Sequence, residues 1–164
     1  FVPGEPPVER APRLAEGKAR AAAEHVSALR TLVIGSDQVA SLDGEVLSKP
    51  GTPERAVAQL LRARGRTLEF HTGVAVHDTA SGRTHVHVEP FRARLRPLEE
   101  DALARYVDLE RPLDAAGAFY SEGLGIVLFE ALEGRDPTAL VGLPLVALVD
   151  LLAEAGVAVL DLAR

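Results

Sequence analysis

The sequence predicts one domain of the α/β class, in which helices flank a sheet, and three observations support this prediction. Its 164 residues suffice for a single domain that buries roughly 70% of its unfolded surface. Segments with the apolar spacing of helices alternate with short runs rich in β-branched residues. One such run, Leu32 to Ile34, ends at small residues and is followed at once by Asp37 and Gln38. A buried strand delivers polar side chains to the rim of a sheet in this way, so we expect a ligand cleft there.

Charge and composition limit the classes of function. The net charge of −6 opposes binding to DNA or RNA, because non-specific binding to a polyanion needs a basic face. Cys is absent, which fits a reducing cytoplasm, and every long apolar stretch is interrupted well short of the ~20 residues of a membrane span. A small phosphorylated ligand is compatible with this charge if cations are concentrated locally. The only lysines are Lys18 and Lys49, so we treat both as candidates.

The first helix is predicted from Arg13 to about Ala28, after a proline-rich loop at Pro3 to Pro12. The chain contains no Met and opens at Phe1, so we expect the start of the protein to lie outside this sequence. Lys18 falls in the middle of the helix. The sequence leaves two interpretations of Lys18 open, a solvated surface lysine and a ligand of phosphate.

The strand that starts at Leu32 is predicted to continue into a hairpin. Asp43-Gly44 is a common two-residue hairpin turn, after which the chain doubles back and carries Lys49 toward Asp37. An acid and a lysine on one hairpin suit chemistry on a phosphate. Asp37 would either activate a water molecule or hold a metal ion that does so.

A helix and a long hairpin are predicted next. Thr52 is the predicted N-cap of a helix that has Pro at its first position and ends at Gly65. β-branched residues then dominate two segments, Thr67 to His77 and Thr84 to Leu95, which we predict to pair as strands.

Two histidines of the second of these strands, His85 and His87, share one face. A metal-binding pair and a solvated face are the two interpretations. The solvated face is favoured, because the sequence offers no third ligand nearby.

A glycine-rich stretch, Asp114 to Gly125, is predicted to follow a helix that begins at Pro97 and has Leu109 on its apolar side. Its three glycines and small neighbours let the backbone approach a ligand closely, and Glu122 lies among them. Glu122 is either a ligand contact or a turn residue in water.

The C-terminal part is predicted as strand, helix and strand. Ile126 to Leu132 has the β-branched and aromatic content of a strand, and Leu145 to Ala155 is an apolar core helix. Val157 to Leu162 is predicted as the last strand. The chain has no P-loop, GxGxxG fingerprint or GxSxG elbow, which excludes the commonest nucleotide and hydrolase motifs.

Several spaced motifs resemble one protein family. They are GSDQ at Gly35 to Gln38, KP at Lys49 to Pro50, FHTG at Phe70 to Gly73, AGAFYSEGLG at Ala116 to Gly125, and VGLPL at Val141 to Leu145. Over about Leu14 to Gly156 the chain resembles the Maf family of nucleoside triphosphate pyrophosphatases. GSDQV and SEGLG most resemble the branch that hydrolyses 7-methyl-GTP. Relatives that act on dTTP and UTP carry Thr after the Asp and Gln at the Glu122 position.

This resemblance implies a fold, a cofactor and site residues. The fold is Maf/inosine-triphosphatase-like, with a central mixed β-sheet, flanking helices and a ligand cleft, in one domain over residues 1–164. Asp37 corresponds to the catalytic proton acceptor and is the expected metal residue. Lys18 and Lys49 correspond to the substrate-phosphate lysines, and Gln38 and Glu122 to the positions that select the base. A divalent cation, Mg²⁺ by its preference for oxygen ligands, and a homodimer are implied as well.

The family's opening strand and phosphate-binding turn have no counterpart here, and we expect them to be absent from this sequence. The implied function is hydrolysis of 7-methyl-GTP to 7-methyl-GMP and pyrophosphate, which removes a modified nucleotide from the pool. One alternative is a pyrophosphatase for other non-standard or pyrimidine triphosphates, against which Gln38 with Glu122 argues. The other is a non-catalytic nucleotide-binding regulator of septum formation. Pyrophosphate release separates an enzyme from such a regulator.

Overall fold

A computed structural model describes residues 2, 4–27 and 30–162 of the chain. The helices in these residues are α1 (Pro7–Ala23), α2 (Pro53–Ala63), α3 (Glu100–Glu110), α4 (Thr138–Val141), α5 (Leu145–Glu154) and α6 (Val159–Leu162). The strands are β1 (Leu32–Leu42), β2 (Glu45–Leu47), β3 (Thr67–Asp78), β4 (Thr84–Leu95) and β5 (Phe129–Gly134). A 3₁₀ helix, Leu124–Leu128, directly precedes β5.

The five strands form one sheet in the order β2-β1-β3-β4-β5. The predicted α/β class, with helices around a central sheet, is confirmed. The pairing differs from the expected mixed pattern, because all four pairings among the described strands are antiparallel. Short hairpin connections join β1 to β2 and β3 to β4, and such connections produce antiparallel neighbours.

Helices cover both faces of the sheet. On β3, Phe70 packs in the main core with α2 and α3, whereas Gly73 faces the opposite side, under α1. α1 lies so close to the sheet that a Cβ on Gly73 would be 2.4 Å from the carbonyl oxygen of Ala11. A Cβ on Gly35 of β1 would likewise be 2.2 Å from the carbonyl oxygen of Ala15. Glycine in these two strands therefore allows α1 to pack directly on the backbone of the sheet.

Part of the edge of β1 has no strand beside it. β3 pairs along the whole of β1, but β2 pairs only with residues 40–42. Within the described part of the chain, residues 32–39 therefore have no strand neighbour on that side. Side chains from both faces of β1 can reach the same space around such an edge.

Three local predictions are confirmed. Asp43 and Gly44 have φ angles of 49° and 82°, as a two-residue turn of this class requires. The Thr52 hydroxyl accepts a hydrogen bond of 3.3 Å from the Arg55 amide and so caps α2. Gly65, with a φ of 68°, ends that helix as predicted.

The predicted bounds of the first helix are wrong. α1 begins at Pro7, inside the segment predicted as a loop, and ends at Ala23. Ala28, the predicted end, lies outside the described residues. Pro7 suits the first turn, because proline has no N–H and the N–H groups of that turn have no partner within the helix. Pro12 lies inside the helix, where a proline costs ~3 kcal/mol, and packing of α1 on the sheet outweighs this cost.

Two C-terminal predictions are also wrong, and a third is correct only in part. The last four residues of the strand predicted from Ile126 to Leu132 lie in β5, but the first three belong to the 3₁₀ helix, because β4 pairs no further than the partner of Phe129. The apolar run from Val157 contains the short helix α6 and no strand. Leu109 lies on the exposed side of α3, which begins at Glu100 and not at Pro97. The core helix predicted from Leu145 is confirmed as α5.

Candidate active site

All five residues predicted for the site line one cavity. Lys18 comes from α1, Asp37 and Gln38 from β1, Lys49 from the segment after β2, and Glu122 from the loop before the 3₁₀ helix. The cavity has a volume of about 370 Å³. Its other lining residues are Ser36, Phe70, Asp114, Ala115, Ala116, Phe119, Tyr120, Ser121, Leu140, Val141 and Gly142. Asp37 and Gln38 point to opposite faces of β1, and the unpaired edge explains how both reach the cavity.

Lys18 and Asp37 form an ion pair that joins α1 to β1. Lys18 Nζ lies 2.6 Å from Asp37 Oδ1 and also donates a hydrogen bond of 3.0 Å to the carbonyl oxygen of Ser36. The Asp37 side chain is 19% exposed, whereas that of Lys18 is 59% exposed. The carboxylate is therefore held partly out of solvent, while the ammonium group stays accessible to an anionic ligand.

Asp114 forms a second acidic position of the cavity, beside Lys49. The hydroxyl of Tyr120 donates a short hydrogen bond to Asp114 Oδ1. This bond holds the pKa of Asp114 below its ordinary value, and the charge of Lys49 contributes in the same direction. The same bond raises the pKa of Tyr120 to about 12, so the phenol stays protonated as a donor. A hydrogen bond of 2.8 Å from the Gly51 amide to the Leu113 carbonyl ties the segment of Lys49 to that of Asp114.

Gln38 is anchored to α4 through its amide nitrogen. Gln38 Nε2 lies 2.7 Å from the carbonyl oxygen of Ala139, 3.2 Å from that of Leu140 and 3.1 Å from the hydroxyl of Thr72. The Thr72 hydroxyl is buried and lies 2.9 Å from the same Ala139 carbonyl. Ser36 Oγ adds a contact of 2.7 Å to the Gly142 carbonyl. Side chains of the sheet thus hold the α4 wall of the cavity in place.

Glu122 lies on an exposed loop whose backbone is tightly packed. Its carboxylate is 3.3 Å from the hydroxyl of Ser121 and has no further hydrogen bond among the described residues. Gly117 and Ala118 have positive φ angles of 85° and 60°. A Cβ on Gly125 would be 2.2 Å from the carbonyl oxygen of Tyr120. The loop is therefore fixed while its acid stays available to a ligand.

Sequence reasoning missed four residues of the site. Asp114 and Tyr120 line the cavity, Ser36 contacts both β3 and the α4 wall, and Thr72 holds Gln38 from behind. Asp114, Tyr120 and Thr72 fall within segments already singled out for their composition, so closer attention to every polar residue there would have found them. Of the two aromatic residues of the glycine-rich stretch, Phe119 belongs to the core, because it is buried and packs edge to face against Phe70. Tyr120 does not belong to the core, since it is only partly buried and its hydroxyl contacts Asp114.

The paired histidines each contact a carboxylate. His85 Nδ1 lies 2.9 Å from Glu154 Oε2, and His87 Nε2 lies 3.2 Å from Glu89 Oε2. No group of three His, Cys, Asp or Glu side chains in the described ranges is arranged to hold a metal ion. His85 and His87 are each only partly exposed, and Glu89, the partner of His87, is buried.

Comparison with known proteins gives a consistent result. The family model described as Maf-like protein matches residues 2–155. A 7-methyl-GTP pyrophosphatase of Pseudomonas aeruginosa is 52% identical over 154 residues, which cover 94% of this chain and 79% of the relative. A protein with the same name from Burkholderia thailandensis is 51% identical, over 98% of this chain and 75% of its own length. Another from Idiomarina loihiensis is 47% identical, over 95% of this chain and 79% of its own length. Among the helices that the structure describes, none has both the length and the apolar character that a membrane crossing needs.

Proposed function

This chain belongs to the Maf-like protein family, and on that premise we propose that it hydrolyses 7-methyl-GTP to 7-methyl-GMP and pyrophosphate. The relatives reported above all carry the name 7-methyl-GTP pyrophosphatase. One structural observation carries the proposal: a carboxylate in contact with an ammonium group, Asp37 with Lys18, lies in one cavity with Lys49 and Glu122. The enzyme thereby removes a modified nucleotide from the pool.

The reaction requires water to attack the α-phosphorus while the bond from that phosphorus to the bridging oxygen breaks and pyrophosphate leaves. Asp37 is the proposed proton acceptor, because its carboxylate lines the cavity and is held partly out of solvent. Lys18 and Lys49 are the proposed phosphate ligands, and their charges meet the negative charge that develops on the leaving group. Lysine acts as a point charge there and needs no fixed geometry of its donors.

The charge balance of the cavity supports a divalent cation. Two lysines face three carboxylates, those of Asp37, Asp114 and Glu122, so the lining does not neutralise a triphosphate. Mg²⁺ is the proposed ion, since it usually binds through one or two carboxylates together with substrate phosphates. Asp37 would hold it. A bound Mg²⁺ would neutralise phosphate oxygens and lower the cost of forming the nucleophile.

Base selection is proposed for Glu122 and Gln38. A carboxylate accepts hydrogen bonds only, and the edge of guanine presents two adjacent donors, N1–H and the N2 amine. Methylation at N7 makes the ring cationic, so the charge of Glu122 favours it further. We also propose a homodimer in the cytoplasm. The regulator of septum formation remains the alternative hypothesis.

The deciding experiment is a substrate screen of the complete protein by pyrophosphate release. We expect 7-methyl-GTP to be hydrolysed with a higher kcat/KM than GTP, UTP or dTTP. A preference for a pyrimidine triphosphate would overturn the choice of substrate. Tight nucleotide binding without any release would favour the regulator. Light scattering of the same sample tests the homodimer.

A further inference from the structure

The side-chain amide of Gln38 has only one orientation that its surroundings accept. Its Nε2 faces two carbonyl oxygens, those of Ala139 and Leu140, and a carbonyl accepts but never donates. Rotating the amide by half a turn would place Oε1 against both of them. The loss of these hydrogen bonds and the repulsion between oxygens exclude that state.

Thr72 completes this arrangement from inside the core. It has no exposed surface, and its hydroxyl lies 2.9 Å from the Ala139 carbonyl and 3.1 Å from Gln38 Nε2. A hydroxyl has one hydrogen, which the Ala139 carbonyl takes, so toward Gln38 the hydroxyl can act only as an acceptor. The two hydrogens of Gln38 Nε2 are thus shared among three oxygens, those of Thr72, Ala139 and Leu140. Thr72 is therefore both a donor that orients α4 and an acceptor that orients Gln38.

The consequence for the cavity is that Gln38 presents only its carbonyl oxygen. Gln38 Oε1 has no hydrogen-bond partner among the described residues and is not completely buried, and Gln38 lines the cavity. Glu122 lines the same cavity and is likewise an acceptor. The two groups together match a ligand edge that offers several donors.

We propose that Thr72 is a positioning residue for base selection, which locks Gln38 so that the site accepts hydrogen bonds from the donor-rich edge of a guanine base. This inference rests on the proposed function, because it names how that site chooses its base. Adenine is disfavoured, since its edge places an acceptor at N1 opposite these oxygens. The base edge is remote from the reacting phosphorus, so the lock acts on substrate binding.

The first test needs neither turnover nor ligand. Side-chain amide signals in a ¹⁵N NMR spectrum come from glutamine and asparagine, and among these 164 residues they come only from Gln38 and Gln59. Gln38→Ala identifies the Gln38 pair by its disappearance. We expect slow hydrogen exchange for this pair in the wild type and in Thr72→Ser, and fast exchange in Thr72→Val. If the Gln38 amide of the wild type exchanged its hydrogens as fast as a free glutamine side chain, its orientation would not be fixed and the inference would fail.

The second test is a kinetic cycle with 7-methyl-GTP. Thr72→Val keeps the shape but removes the hydroxyl, and we expect kcat/KM to fall about tenfold through KM, with kcat nearly unchanged. Thr72→Ser keeps the hydroxyl and should therefore retain most of the wild-type kcat/KM. In the Gln38→Ala background, Thr72→Val should have no further effect on kcat/KM, because the group that it positions is gone.

The outcomes of the two tests separate the inference from the proposed function. If the two substitutions reduce kcat/KM independently, so that their effects multiply, Thr72 supports only the fold and the inference fails. If the wild type shows the slow exchange but releases no pyrophosphate from 7-methyl-GTP, the proposed substrate fails while the orientation of Gln38 stands. Circular dichroism of each variant confirms that the comparison is made between folded proteins.

Discussion

At the scale of single residues, the site depends on charges that are held in place by partners outside it. Asp37 is paired with Lys18 at 2.6 Å, and Asp114 is bonded to Tyr120 near Lys49. Each acid in these pairs thus has a defined position before any ligand binds. Glu122 differs, since its only described contact is with its neighbour Ser121. We therefore expect substitutions of Asp37 and Glu122 to affect function far more than stability.

Asp37→Asn should abolish pyrophosphate release while the protein stays folded. The amide keeps the shape of the side chain but loses its basicity and its charge for a metal ion. Because the ion pair with Lys18 is partly exposed, the free energy of unfolding should change by no more than about 1 kcal/mol. Asp43→Asn is the matched control, since it lies outside the cavity and Asn-Gly also suits the hairpin turn. Turnover of Asp37→Asn within about threefold of the wild type would rule out a catalytic role.

Glu122→Gln should reduce kcat/KM for 7-methyl-GTP by about ten- to a hundredfold, because one of the two acceptors becomes a mismatched donor and the charge is lost. The values for UTP and dTTP should change much less. Steady-state kinetics on all three substrates checks this, with the exposed Glu133→Gln as control. Equal losses on the three substrates would show that Glu122 supports the loop and does not recognise the base.

At the scale of elements, two features hold the walls of the cavity. α1 packs directly on the glycines of β1 and β3, which brings Lys18 to Asp37. On the other side, Asp136 caps α4 and α5 together. Its Oδ1 accepts from the amide of Thr138 at 2.9 Å, and its Oδ2 from that of Val146 at 2.8 Å. Substitutions that disturb either feature should therefore shift the residues that line the cavity.

Gly35→Ala should destabilise the protein by about 1–3 kcal/mol and reduce turnover, because the added methyl group would displace α1 and with it Lys18. Gly17→Ala in α1 is the matched control, since a Cβ there meets nothing within 4 Å. That substitution should instead stabilise the protein by about 1 kcal/mol through helix propensity. Urea unfolding and pyrophosphate release measure both effects. Similar behaviour of the two variants would contradict the close packing of α1.

Asp136→Asn should lower the free energy of unfolding at neutral pH by about 1–3 kcal/mol, since an amide offers one acceptor where donors lie on both sides. Burial raises the pKa of Asp136, but the bonds from Thr138 and Val146 and the charge of Arg135 bring it below the ordinary 3.8. A carboxyl with a lowered folded pKa stabilises the fold above pH 3.8 and loses that contribution as the pH falls through its folded value.

The stability difference between wild type and Asp136→Asn should therefore shrink below pH 3.8. Urea unfolding on both sides of this pH measures it, with the exposed Asp108→Asn as control. A difference that stays constant with pH would mean that Asp136 acts through packing and not as a charged cap.

At the scale of the whole molecule, an acidic chain concentrates its only two lysines at one cavity. The net charge is −6, and Lys18 and Lys49, far apart in sequence, both line the cavity. Three carboxylates share this space, so the proposed triphosphate substrate would need further positive charge there. This imbalance is a property of the assembled site that no single element shows.

Removal of divalent cations should therefore stop turnover. Treatment with EDTA is expected to abolish pyrophosphate release, and added Mg²⁺ to restore it. Calorimetry should show weaker nucleotide binding without Mg²⁺, because the negative phosphates and the carboxylates of the cavity then repel each other. Activity within about threefold of the untreated enzyme after EDTA would contradict the proposed cation.

Features that depend on a few neighbouring residues could be predicted from the sequence. The turn at Asp43-Gly44, the cap at Thr52 and the hairpin of β3 and β4 follow from local backbone preferences and alternation. Four candidate site residues, Asp37, Gln38, Lys49 and Glu122, lie in short motifs, and the resemblance to the Maf family implies their roles and that of Lys18. Family membership followed from the same motifs.

Contacts between residues far apart in sequence could not be predicted in this way, because they depend on the tertiary fold. The start of α1 depends on packing against Gly35 and Gly73. The start of β5 at Phe129 depends on where β4 stops pairing. The orientation of Gln38 depends on carbonyls about a hundred residues away in α4. Such contacts arise from the assembled chain, since their partners are set by sheet order and helix packing and not by sequence neighbours.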